Sequence, residues 1–170
     1  MLRRSPIEAE PVTAPQPPGG VLGVGYLMGR ARASVLSGLD TELARFGLSG
    51  MQFAVLKHLA EGSARTAADL CRFLQYDTGA MTRILDRLEQ KGLVRRERSR
   101  EDRRAVVLRV AASGRTQLPR LAAAATRVLE AHLAGFSNTE IEALKGYLGR
   151  MIDNGQNSGD NRQTGTGAKA

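Results

Sequence analysis

Two groups of side chains have the types and spacing to do one kind of chemistry, the gripping of duplex DNA. The first is Thr78, Gly79, Thr82, Arg83 and Arg87, which recur at helical intervals. An arginine there can reach guanine O6 and N7 with two hydrogen bonds, and a threonine can touch a phosphate or a thymine methyl. Gly79 lets backbone approach a phosphate closely. The second group is Arg98, Arg100, Asp102, Arg103 and Arg104. It lies in a run, Arg95 to Arg109, that holds seven arginines against Glu97, Glu101 and Asp102, a surplus of four in a chain of net charge +8. A loop of this kind can follow the phosphate backbone or enter a minor groove, where narrow A·T-rich stretches attract arginine. Asp102 would repel phosphate, so it reads as an orienting partner for Arg104 or another arginine. Taken alone, Arg83 is an ordinary solvated helix residue and the hairpin an ordinary basic surface. Their adjacency points to DNA.

The elements that must position them follow from periodicity and caps. TAADLCRFL gives a short helix capped by Thr66, with Asp69 near its positive end and Leu70, Phe73 and Leu74 as apolar residues. DTGAMTRILDRLEQKG gives a second, capped by Asp77. Its inward stripe is Met81, Ile84, Leu85 and Leu88, and Lys91-Gly92 ends it. The stripe leaves Thr78, Gly79, Thr82, Arg83, Asp86 and Arg87 outward. LVRRERSREDRRAVVLRV then reads as a two-stranded hairpin, with Val94, Val106, Leu108 and Val110 inward and the arginines projecting. Helix, turn, helix and basic ribbon is the order of a winged helix-turn-helix.

Around this unit, a helix is expected over about residues 22–45, stopped by Gly47. A Ser49-x-x-Gln52 capping box opens another that Gly62 closes. A long helix spans roughly residues 113–134, and a Ser137-x-x-Glu140 box starts a last one reaching about Met151. The expected organisation is a disordered, proline-rich arm over 1–20, a domain over 21–152 and a disordered tail over 153–170. Within the domain, 49–110 forms the winged helix-turn-helix with its wing at 93–110, and 21–46 and 113–151 form dimerisation helices. Their leucine and alanine stripes exceed what a small winged helix needs for its own core, which argues for a homodimer. The fold class is mainly α with a small β-wing.

Composition narrows the class. Hydrophobic residues make up 42% of the 170, but aromatics only 4%, with no tryptophan. Such a leucine-, alanine- and valine-rich core suits helices. Cys71 is the only cysteine, so an intramolecular disulfide is excluded. No apolar run approaches the roughly 20 residues needed to span a bilayer, and a soluble cytoplasmic protein is the default expectation. There is no P-loop, dinucleotide turn, nucleophile elbow or spaced Cys/His set, so neither an enzyme nor a cofactor is expected.

In GLSGMQFAVLKHLAEG, the TAADL…DTGAMTRILDRLEQKGLVRR run and the wing motif EDRRAVVL, the chain resembles the MarR family of bacterial transcription regulators. By motif the resemblance covers about residues 43–118. It implies a two-fold dimer on a pseudo-palindromic operator, with Thr78, Gly79, Thr82 and Arg83 in the major-groove helix. It implies an Asp-x-Arg wing pair at Asp102 and Arg104, with Arg103 and Arg104 near the minor groove. It further implies repression, and release from DNA by a small phenolic or aromatic-acid ligand. Two residues depart from the pattern: Gly79 stands where serine is common, and Ala111 where a threonine often caps the fifth helix, which leaves that start either looser or capped by Ser113.

Tyr26, Met28, Arg30 and Phe53 are the candidates for an effector pocket, an aromatic wall with an arginine for a carboxylate. Read singly, each is an ordinary core or solvated residue. Cys71 reads as small buried filler, with thiol-based redox sensing as the alternative. His58 and His132 are isolated, and His58 is expected on the solvent side of its helix. A winged helix that docks an acidic protein through its arginines is the rival to DNA binding.

Overall fold

The computed structural model describes residues 16, 18–98 and 106–163, with residues 158–163 as backbone alone. Helix α1 (Gly20–Leu43) runs into a 3-10 turn (Ala44–Phe46), and Gly47 stops it in the left-handed region at φ 68. That conformation favours a residue without a Cβ. Helices α2 (Gly50–Glu61), α3 (Ala67–Leu74) and α4 (Thr78–Gln90) follow. Strands β1 (Val94–Arg98) and β2 (Val106–Val110) pair antiparallel, and α5 (Ala112–His132) and α6 (Asn138–Gln163) complete the described chain.

The helix starts are set locally, as the sequence predicts. Ser49 Oγ accepts the Gln52 N–H at 3.2 Å while Gln52 Oε1 accepts the Ser49 N–H at 3.0 Å. Thr66 and Asp69 form the same reciprocal pair, at 3.1 and 2.9 Å. Asp77 caps α4 by accepting the Ala80 N–H at 2.8 Å, and Ser137 caps α6 with Glu140. The start of α5 takes the looser of its two expected forms. Ala111 is its N-cap and makes no side-chain bond, and Ser113 does not substitute for it. Its hydroxyl instead donates to the Gly92 carbonyl oxygen at 2.5 Å, tying α5 to the root of the wing.

Leu56 of α2, Leu70 of α3, Met81 and Leu88 of α4 and Leu121 of α5 are fully buried, and Val94, Leu108 and Val110 bring the hairpin onto the same cluster. A buried leucine contributes about 1.5–3 kcal/mol, an exposed ion pair about 0–1 kcal/mol. The apolar cluster therefore fixes the helix-turn-helix and wing root as one body. Helix α1 packs along α5: Gly38 lies against Val128 and His132, and Arg127 reaches Glu42 at 2.9 Å.

Several details depart from the sequence reading. Val106 is 51% exposed rather than inward, because β2 at that point extends past the edge of the core. His58 is half-buried rather than on the solvent side, stacked against Phe73, which is itself 51% exposed. Helix α6 continues to Gln163, beyond the expected end near Met151. Gly155 and Gly159 lower helix propensity there without removing a hydrogen-bond donor, and no proline follows to force a stop.

Candidate nucleic-acid interface

Helix α4 is held by Met81, Leu85 and Leu88, all buried, and this settles which residues remain outside. Thr78, Gly79, Thr82, Arg83 and Arg87 are all exposed on one helix, as the spacing predicts. Arg83 and Arg87 make no ion pair among the described residues. Thr82 Oγ1 donates to the Thr78 carbonyl oxygen at 2.9 Å. Its proton is therefore occupied, which leaves the methyl and a lone pair for an incoming ligand. A Cβ at position 79 would sit 3.2 Å from Asp77 Oδ1. Glycine thus keeps the cap uncrowded as well as baring the backbone. The turn into α4 is tight: Gln75 adopts φ 50, and the Tyr76 N–H returns to the Cys71 carbonyl at 3.0 Å.

In the wing, Val94 faces Val110, Arg95 faces Arg109, Arg96 faces Leu108, Glu97 faces Val107 and Arg98 faces Val106. Strand parity puts Val94, Arg96 and Arg98 on one side and Arg95 and Glu97 on the other. The expectation that every arginine projects is corrected here, because Arg96 lies on the side of the hairpin that meets α4. Its guanidinium donates to Asp86 Oδ1 at 2.7 Å and to Glu89 Oε2 at 2.5 Å, and its backbone N–H donates to Glu89 Oε1 at 3.2 Å. The Asp86 hydrogen bond, more than the charge of Glu89, strengthens the hold of Arg96 on its proton, against the opposing effect of partial burial. Asp86 accordingly leaves the outward set the sequence reading gave it and becomes a wing anchor. On the other face Glu97 lies between Arg95, at 2.6 Å, and Arg109, at 3.8 Å, which offsets the repulsion of that cross-strand pair. Arg98 is exposed at the end of β1. The other wing candidates, Arg100, Asp102, Arg103 and Arg104, lie outside the described residues.

Sequence reasoning missed Arg96 and its two acids. A signal for them exists: Asp86 and Glu89 are three apart on one helix and share a side, where two carboxylates repel unless a cation joins them.

The effector candidates are not brought together within the chain. Tyr26, half-buried, and Arg30 are on α1, with Arg30 Nη1 3.4 Å from the Tyr26 hydroxyl, and Met28 is exposed nearby. Helix α1 meets α2 at Leu39 and Asp40, about 20 Å further along its axis at ~1.5 Å per residue. Phe53 is buried and lines an open groove of about 300 Å³ between α2 and α5, with Lys57, Glu61, Arg115, Leu118 and Pro119. Sequence spacing could not separate these positions, since it does not report where two helices cross. Cys71 is half-buried against the core. Among the described residues no cluster of His, Cys, Asp or Glu is arranged to hold a metal ion, and no helix is long and apolar enough to cross a membrane.

Known proteins share this arrangement. The MarR family profile matches residues 46–105. The transcriptional regulator MgrA of Staphylococcus aureus is 32% identical over 108 residues, 64% of this chain and 72% of that protein. A MarR mutant from E. coli, solved in complex with operator DNA, superposes with a TM-score of 0.68 at 24% identity, over 76% of this chain and 93% of the other. BpsR of Bordetella bronchiseptica, whose DNA binding is regulated by 6-hydroxynicotinic acid, gives 0.68 at 23% identity, over 76% and 93%. With a capped helix-turn-helix, an exposed arginine face on its second helix and a paired-strand wing docked beside it, the chain belongs to the MarR family of DNA-binding, HTH-type transcriptional regulators.

Proposed function

We propose that the protein is a homodimeric repressor that lays α4 of each subunit in the major groove of a pseudo-palindromic operator, with each wing beside the neighbouring minor groove. The observation that carries this reading is the single exposed face of Thr78, Gly79, Thr82, Arg83 and Arg87, with neither arginine in an ion pair among the described residues, beside a wing that offers Arg98. The bases are read by Arg83 and the Thr82 methyl, while Arg98 and the wing-tip arginines Arg100, Arg103 and Arg104 hold phosphate or a narrow minor groove.

Dimerisation is supported by apolar surface that nothing in the described chain covers. Val21, Leu22, Val24 and Leu27 on α1, Leu129 on α5 and Leu144, Tyr147, Leu148, Met151 and Ile152 on α6 are all exposed. Exposed apolar side chains in this number are a liability on a monomer and a resource on a two-fold partner.

For release, the α2–α5 groove offers an apolar floor of Phe53, Leu118 and Pro119 with Lys57 and Arg115 at its rim. That lining suits a small aromatic acid, the kind of ligand that regulates BpsR. Tyr26, Met28 and Arg30 would join such a site only from the far end of α1.

Selection of duplexes from a randomised pool at physiological salt tests the reading. Enriched half-sites centred about one helical turn apart support it, as does affinity falling log-linearly with salt. No preference among duplexes at moderate salt refutes it. A screen of aromatic acids for loss of the selected duplex then tests the release step.

A further inference from the structure

Asp86 and Glu89 lie on the flank of α4, between its buried stripe and the face that carries Arg83 and Arg87, and both are half-buried. The only cation that meets them among the described residues is Arg96, at 2.7 and 2.5 Å. The wing end of this contact is tied further. Arg96 faces Leu108 in the strand register. Leu108 is 5% exposed, and its N–H donates to the Arg65 carbonyl oxygen, in the loop between α2 and α3, at 2.8 Å. A single path therefore runs from the second helix of the motif, through one guanidinium and two strands, to the loop that opens the first. The guanidinium is planar and forked, so holding two carboxylates at once fixes an angle as well as a distance.

We propose that Arg96 is a positioning residue: it locks the wing to α4 so that both elements meet DNA at a fixed angle. This rests on the reading of α4 and the wing as the DNA-contacting elements. Two contacts that must fall in adjacent grooves gain selectivity when their separation is set before binding. Arg96 touches no DNA in this scheme. It decides whether a duplex that suits α4 also suits the wing.

Two DNA-free and DNA-bound readouts on the full chain test the lock. The first is hydrogen exchange of the wing strands in Arg96→Gln. The Arg96 N–H bond to Glu89 survives this change, so only the side-chain fork is lost. The amides of 94–98 and 106–110 are expected to exchange roughly tenfold faster, as in a local opening, with α2 and α5 unchanged. Arg95→Gln, on the outer face, is the control and should leave the wing protected. The second readout is the profile of duplexes selected from a randomised pool. Arg96→Gln should bind the wild-type choice about tenfold more weakly and lose preference at the flanking positions while keeping those read by α4.

Charge alone offers a competing explanation, since Arg96→Gln bares two acids beside the DNA face. Adding Asp86→Asn and Glu89→Gln removes them. If the triple variant recovers the wild-type affinity and profile, Arg96 only neutralises and the proposal is overturned. Continued loss supports the lock. If Arg96→Gln does not fold, Arg96→Lys, which cannot fork between the two carboxylates, carries the same comparison. Wing exchange that is unchanged in the variant overturns the lock whatever the DNA result. A loosened wing together with a wild-type protein that enriches no duplex refutes the DNA reading and leaves the lock standing.

Discussion

The Asp40 carboxylate of α1 accepts the backbone N–H of Gly50, the first residue of α2, at 2.7 Å. This bond joins the long helical arm to the winged helix-turn-helix at the point where α2 leaves a donor unsatisfied by its own turn. The contact is close enough that position 50 has no room for a side chain. A Cβ there would lie 2.9 Å from Leu39 Cβ and 3.3 Å from Asp40 Oδ1. Gly50→Ala is expected to destabilise the fold by about 1–3 kcal/mol, read as a lower urea midpoint. An unchanged midpoint would mean that the helices separate freely at this joint.

Arg83 is exposed and has no described ionic partner, so its removal should be felt in DNA binding and not in folding. Arg83→Ala is expected to cost about 1–3 kcal/mol of affinity for the selected duplex and to relax choice at one base position. The melting temperature should stay within the scatter of the wild type. Unaltered affinity would show that the reading face has been assigned to the wrong residues.

Titration of Asp69 links the α3 cap to acid stability. Hydrogen bonds from the Arg65 N–H and then from Thr66, aided by Arg72, hold its carboxyl below the usual aspartate range. A pKa depressed in the folded state contributes stability that is complete above the unfolded value and is lost as pH falls through the folded one. Stability of the wild type should therefore decline at the acid end and not near neutrality. Asp69→Asn, which can still accept both N–H groups, should flatten part of that acid limb. Chemical unfolding measured across the acid range decides it, and identical pH profiles would remove Asp69 from the account.

The dimer proposal concentrates on α6. Leu148 is 37% exposed and Tyr147 59%, on a helix that little else among the described residues covers. Leu148→Asp should shift sedimentation toward the monomer and weaken binding to a two-half-site duplex far more than to a single half-site. A wild-type monomer at micromolar concentration would contradict the proposal directly.

Much of the helix-turn-helix was legible in the sequence because its determinants are local. The caps at Ser49, Thr66, Asp77 and Ser137 depend on residues three positions away, and the buried stripe of Met81, Leu85 and Leu88 repeats with the helix. The exposed set on α4 follows from that stripe by subtraction. Arg96 and Val106 were not legible in the same way. Alternation along a strand says which residues share a side, but not where the core beneath that side ends.

By itself, then, the sequence determined the order of elements, their capped starts, the arginine surplus of the hairpin and the face that α4 turns outward, since each is written in spacings of a few residues. Only the tertiary structure decided that Arg96 anchors α4 rather than projecting, and that Ser113 bonds to Gly92. It alone decided that His58 stacks on Phe73, and that Tyr26 and Phe53 lie far apart. Each of these depends on how one element crosses another, and crossing geometry is set by packing over the whole core, which no local pattern encodes.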